Sequence, residues 1–289
     1  MSAGGFENRF WTSPDGLKLH YRYYPGPAGK LPLLCIPGLT RNARDFEPLA
    51  EKLAGKWPML CVELRGRGES DYAKDPATYM PLTYLADLEA LLDQTQIARF
   101  VAIGTSLGGV LTMLLAAGGA ERIAAAVLND IGPAIEPEGI ERIREYVGQG
   151  RAFPTWMHAA RALREQSGSL FPDYAISDWI AMAKRLMTVS GNGRIVFDYD
   201  MKIAEPFNAP ADPAAPAVDM WPAWRALRGR PLLAVRGALS DILSAKTLKK
   251  MAKEVEGCEA LTLPRIGHTP TLGEPEAAEA IVRLLAKLS

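Results

Sequence analysis

Short apolar runs alternate with longer helical patterns through the first part of the chain. Residues 17–24 alternate apolar and polar positions with period two, the mark of a half-buried strand. Residues 33–36 form a short apolar run that stops at Pro37-Gly38, and residues 59–62 form another that stops at Arg65-Gly66-Arg67-Gly68. Residues 82–94 carry Leu85, Leu88, Leu91 and Leu92 at helical spacing. A further run, 100–103, ends at Gly104. Residues 107–117 then read as a buried helix and 123–128 as another strand. Strands separated by helices predict an α/β fold, with a mostly parallel sheet and helices on its faces.

The alternation stops after Asp130-Ile131-Gly132-Pro133. Residues 134–230 read as mostly helical, with dispersed aromatic side chains at Trp156, Phe171, Tyr174 and Trp179. Within them, residues 209–222 carry Pro210, Pro213, Pro216 and Pro222 and predict a stiff, extended connector. Strand and helix patterns resume at 232–235, 248–255, 260–263 and 277–288. The simplest organisation is one sheet domain, residues 1–133 and 231–289, with a helical insertion at 134–230 between its two parts.

Composition and charge narrow the function. The 289 residues hold 33 Lys and Arg against 33 Asp and Glu, a balance that argues against a nucleic-acid partner. A hydrophobic share of 48% with 23% charged residues is that of a folded globular chain rather than a disordered one. Residues 107–120, the most apolar stretch, are too short to span a membrane. Residues 1–11 have no basic segment followed by an apolar one, so no secretory signal is read and no membrane partner is expected. Cys35, Cys61 and Cys258 are far apart and odd in number, which predicts neither a disulfide framework nor a metal site. Together these features predict a cytoplasmic protein that requires no metal or cofactor.

The chemistry points to one short segment. Gly104-Thr105-Ser106-Leu107-Gly108 fits G-x-S-x-G, between a predicted strand and a predicted helix. A serine held on such a tight turn projects its hydroxyl from the carboxyl end of the sheet, where open parallel sheets place their binding crevice. A dinucleotide fingerprint would need glycine where Ser106 stands, and no Gly-Lys-Ser/Thr follows that would make a phosphate loop.

A serine hydroxyl needs a base, and the chain offers His20, His158 and His268. His20 precedes the serine and lies in a predicted strand. His158 lies in the insertion. His268, just after the last predicted strand, returns to the carboxyl edge near Ser106 and is the expected base. The acid that orients it is expected to be Asp241, in the loop between the last two predicted strands. Asp130 is the alternative, since it too ends a strand, and its other reading is a brace at the entrance to the insertion. Glu63, at a strand end, reads as a structural ion-pair partner.

The expected oxyanion donors are the backbone N–H of Leu107, after the nucleophile, and that of Leu39, in the loop after residues 33–36. Gly38 allows the backbone to approach a substrate closely. Arg41, just past that turn, reads either as a solvated loop arginine or as a pocket residue that binds a carboxylate.

These landmarks together resemble an α/β-hydrolase-fold serine hydrolase with a helical cap, and the likeness covers nearly the whole chain. It rests on Pro37-Gly38-Leu39-Thr40, residues 63–70, Gly104-Thr105-Ser106-Leu107-Gly108-Gly109, Asn129-Asp130-Ile131-Gly132-Pro133, Ser240-Asp241 and Gly267-His268. The resemblance implies an eight-stranded sheet and a cap made by residues 134–230. One departure is Pro37, where the family commonly has a histidine that braces the oxyanion loop. Ser106 argues against the dehalogenase and epoxide-hydrolase branches, which use aspartate as nucleophile. The implied activity is hydrolysis of a small, largely apolar carboxylic ester or lactone through an acyl-enzyme. The alternatives are a carbon–carbon bond hydrolase of ring-cleavage products and a non-catalytic ligand receptor on the same fold. Trp156, in the cap, would then line the pocket, although aromatic side chains in helices more often build cores.

Overall fold

The computed structural model describes residues 5–209 and 218–288. In chain order the first elements are β1 (Glu7–Thr12), β2 (Lys18–Tyr24), β3 (Leu33–Ile36), α1 (Glu47–Leu53), β4 (Met59–Val62), α2 (Pro81–Gln94), β5 (Phe100–Thr105), α3 (Leu107–Gly119) and β6 (Ile123–Asn129). The middle of the chain holds α4 (Pro137–Tyr146), β7 (Ala152–Phe153), α5 (Trp156–Ser167), α6 (Ile176–Leu186), β8 (Met187–Val189), β9 (Ile195–Phe197), α7 (Ala204–Asn208) and α8 (Trp221–Arg225). The last elements are β10 (Leu232–Gly237), α9 (Ala245–Glu254), β11 (Cys258–Leu263) and α10 (Pro275–Ala286).

Eight strands form one sheet in the order β1-β2-β4-β3-β5-β6-β10-β11. The pairs β1·β2 and β2·β4 are antiparallel, and the remaining neighbours run parallel. The period-two alternation of strand side chains sorts the core into two layers. On one face Leu34, Ile36, Leu60, Val62, Phe100, Ala102, Leu232 and Ala234 pack with Leu88, Leu91 and Leu92 of α2, Leu111 and Met113 of α3, and Met251 of α9. On the other, Leu33, Cys35, Met59, Cys61, Val101, Ile103, Leu233 and Val235 pack with Leu49 and Leu53 of α1 and Ile281, Leu284 and Leu285 of α10. Each fully buried side chain of this size contributes about 1.5–3 kcal/mol against exposure. Cys35 and Cys61 behave here as small apolar fillers, fully buried within one layer.

Strand β1 is missing from the sequence reading because most of its side chains are exposed and leave no apolar run to detect. The segment between β6 and β10 is also less uniformly helical than expected. It contains a three-stranded antiparallel sheet, β7-β9-β8, beside the α5·α6 pair. Ala159, Leu163, Phe171, Trp179, Met182, Leu186, Met187 and Ile195 make a third apolar cluster of its own there. Of the predicted connector at 209–222, Pro210, Pro213 and Pro216 lie outside the described residues, and Pro222 stands in the first turn of α8. Among the described residues no helix is long and apolar enough to cross a membrane.

Candidate active site

Ser106 stands at the end of β5 and caps the start of α3, with φ 52° and ψ −117°. A non-glycine residue rarely occupies that region, and holding it there costs about 1–3 kcal/mol unless the surroundings impose it. The imposition is steric. A Cβ on Gly104 would stand 2.3 Å from the carbonyl oxygen of Gly108, and one on Gly108 would stand 2.0 Å from that of Ile36. Two glycines therefore let strand, turn and helix close on each other, and the Ser106 N–H donates to the Asn129 carbonyl at 3.0 Å.

The Ser106 hydroxyl lies 3.0 Å from Nε2 of His268. Nδ1 of His268 lies 2.8 Å from Oδ2 of Asp130. Asp130 is fully buried at the end of β6 and also adopts positive φ, 55°, a conformation aspartate tolerates. Its carboxylate is saturated with donors: Oδ1 accepts from the Gly237 N–H at 2.8 Å, and Oδ2 accepts from the Ser240 hydroxyl at 2.6 Å. The three side chains thus form one continuous chain of hydrogen bonds from a cavity-lining hydroxyl to a buried carboxylate.

Asp241 makes no hydrogen bond to His268, which corrects the expectation drawn from its place in the loop between the last two predicted strands. Its carboxylate receives two hydrogen bonds from Arg142 of α4, through Nε and, at 2.9 Å, through Nη2. The reason is packing. A Cβ on Gly139 of α4 would stand 2.4 Å from the Asp241 carbonyl oxygen, so the helix lies directly on the 238–242 loop and captures its aspartate. That loop still serves the histidine indirectly, because its Ser240 bonds Asp130. Burial raises the Asp241 pKa, but the hydrogen bonds and charge of Arg142 outweigh it and hold the carboxyl below its ordinary value.

The other two histidines are elsewhere. His20 is buried against Glu63 at 2.9 Å and Asn8 at 3.0 Å. His158 is exposed and bonds Thr155, the N-cap of α5, at 2.8 Å.

A cavity, partly open to solvent, lies above Ser106 and His268. Its floor is the β3 and β5 ends, with Gly38, Leu39, Thr40 and Arg41 on one side. Its roof is the 134–230 segment, through Ile143, Leu163, Phe171, Met182, Leu186 and Phe197. Trp156 is not among the lining residues; it is partly buried against the third apolar cluster. The backbone N–H groups of Leu39 and Leu107 donate to no group of the described residues; Leu107 is the first residue of its helix.

Arg67 was not singled out by the sequence reading. Its fully buried guanidinium donates to the Leu39 carbonyl from Nε at 2.9 Å and from Nη2 at 2.7 Å. It also bonds the Arg65 carbonyl at 2.6 Å and the Tyr84 hydroxyl at 3.0 Å. A planar fork with several donors can immobilise a carbonyl in this way, which a lysine could not. Arg67 therefore braces the 38–40 loop in a chain that has Pro37 before it.

An eight-stranded, mostly parallel sheet with a serine on a strained turn and a histidine at the same edge defines a hydrolase class. Residues 33–283 match the model of the alpha/beta hydrolase family, and the chain belongs to that family. It is 32% identical, over 91% of each chain, to a 3-hydroxybutyrate-oligomer hydrolase of Cupriavidus necator. It is 26% identical, over 84% of each, to a 2-(acetamidomethylene)succinate hydrolase of Mesorhizobium japonicum. The crystal structure of an alpha/beta hydrolase from Novosphingobium aromaticivorans superposes with a TM-score of 0.94 at 64% identity, covering 99% of each chain.

Proposed function

We propose that the protein is a serine hydrolase that cleaves a small carboxylic ester through an acyl-enzyme, with Ser106 as nucleophile, His268 as base and Asp130 as the acid partner. The observation that carries this reading is the unbroken hydrogen-bond chain Ser106–His268–Asp130 beneath a largely apolar cavity. The likeness to a 3-hydroxybutyrate-oligomer hydrolase supports ester chemistry and makes short 3-hydroxy-acid oligomers the first substrates to test.

In the proposed reaction Nε2 of His268 takes the Ser106 proton as Oγ bonds to the ester carbonyl carbon. The carbonyl electron pair moves onto oxygen, where the free N–H groups of Leu39 and Leu107 receive it. Collapse breaks the bond to the alkoxy oxygen, and His268 gives its proton to the departing alcohol. Water, deprotonated by His268, then attacks the acyl carbon. The bond to Oγ breaks, and the proton returns to Ser106. One water is consumed, and one acid and one alcohol are released. Asp130 accepts from Nδ1–H throughout, which keeps Nε2 free to act as base and stabilises the imidazolium. Ile143, Leu163, Phe171, Met182, Leu186 and Phe197 would cover the acyl group with apolar surface while the open side of the cavity admits the attacking water.

The test is an ester panel, including the 3-hydroxybutyrate dimer, with fluorophosphonate labelling of the wild type and of Ser106→Ala. Turnover and labelling that both vanish in Ser106→Ala are expected; full turnover by that variant would sink the mechanism.

A further inference from the structure

The hydrogen-bond chain accounts for the floor of the cavity but not for the guanidinium set beside the nucleophile. A Cβ on Gly38 would meet Arg41 Cγ at 3.2 Å and Ser106 Cβ at 3.6 Å, so the arginine stem and the nucleophile flank one point. Arg41 Nε is committed to Asp45 at 2.6 Å. Its two terminal nitrogens donate to no group of the described residues, and the side chain, 23% exposed, lines the cavity. These nitrogens keep contact with solvent in the cavity, so a polar ligand group can take the place of water on them.

Two more polar groups share that wall. Tyr146 of α4 lines the cavity close to both Arg41 and Arg142; burial keeps its phenol protonated, against the pull of the two arginines, so it can donate. Arg142 completes the wall with one edge held by Asp241. Much of the facing surface is apolar, through Leu163, Phe171 and Met182. Each arginine already has one aspartate beside it, so the wall suits a single negative charge better than a doubly charged phosphate. A planar fork with a neighbouring hydroxyl matches the in-plane lone pairs of a carboxylate.

We propose that the substrate carries a carboxylate a few bonds from its scissile carbonyl, held by the terminal nitrogens of Arg41 and the Tyr146 hydroxyl. This rests on the reading of Ser106 as an ester-cleaving nucleophile. The same contact draws the ester toward Ser106, because Arg41 shares a loop with Leu39.

Binding to Ser106→Ala separates recognition from turnover. Monomethyl glutarate and dimethyl glutarate, alike in chain length and different in charge, are titrated by ligand-observed NMR. The acid ester is expected to bind about tenfold or more tightly than the diester, the scale of a charge-assisted hydrogen bond. Adding Arg41→Met should abolish that preference by weakening the acid ester far more than the diester, and Arg41→Lys should keep part of it. Equal binding of the two esters, or a preference that survives Arg41→Met, would overturn the proposal. Thermal unfolding of each variant shows whether it is folded, and a misfolded Arg41→Met passes the decision to Tyr146→Phe, which should weaken the acid ester selectively. Hydrolysis of dimethyl glutarate by the unmodified protein reads the ester mechanism separately. Turnover without charge preference sinks the carboxylate site alone, and charge preference without turnover sinks the ester reading alone.

Discussion

The Arg67 guanidinium grips the Leu39 carbonyl oxygen with two hydrogen bonds, 2.9 and 2.7 Å long, from a site with no exposure to solvent. Through that grip a side chain from the glycine-rich stretch after β4 sets the position of a loop after β3. The preceding peptide, Gly38–Leu39, carries the Leu39 N–H, which donates to no group of the described residues. Removing Arg67 leaves the Leu39 and Arg65 carbonyls and the Tyr84 hydroxyl without their donor, at about 1–3 kcal/mol for each buried group left unsatisfied.

Arg67→Lys is therefore expected to lower kcat about 10²-fold, the scale of a lost oxyanion donor, with a much smaller change in KM. A merely structural role would lower the melting temperature and the active fraction while leaving kcat per labelled Ser106 intact. Active-site titration with a fluorophosphonate, followed by kcat on the labelled fraction, separates the two.

The Arg142–Asp241 pair joins α4 to the loop after β10, and its effect on stability depends on pH in a definite direction. The Asp241 pKa is lower in the folded protein than in the unfolded chain. The pair's contribution is thus present above the ordinary carboxyl pKa of about 4 and is lost as pH falls through the lower, folded value. Urea unfolding of wild type and Asp241→Asn across a pH series should show a gap of about 1 kcal/mol at neutral pH, since the pair is partly exposed. That gap should close on acidification. A gap that widened toward low pH would contradict the assignment.

Much of this arrangement could be read from residue order, and the parts that could not have physical reasons. The central strands announced themselves because both faces are buried, which writes continuous apolar runs. Ser106 and His268 were legible because a strained turn demands flanking glycines and because few histidines compete. Strand β1 was illegible because its side chains are mostly exposed, and β7, β8 and β9 because two or three residues carry no period. Asp130 and Asp241 both follow strands and both precede His268, and the place of Asp241 in the loop between the last two strands favoured the latter. What separates them is tertiary: the positive φ of Asp130 aims it at His268, while α4 packs onto the later loop and draws Asp241 to Arg142. Arg67 sat in plain view among glycines, but nothing in its neighbours along the chain announces that it reaches Leu39.

The most direct test of the account compares Asp130→Asn with Asp241→Asn on one ester substrate, with Ser106 labelling as a check of folding. An amide at 130 cannot accept and stabilise the His268 proton as the carboxylate does, so kcat should fall by about 10⁴-fold. Asp241→Asn should retain kcat within about tenfold, because it disturbs only a pair at the edge of the cavity. The reverse result, with Asp241→Asn inactive and Asp130→Asn active, would contradict the Ser106–His268–Asp130 assignment.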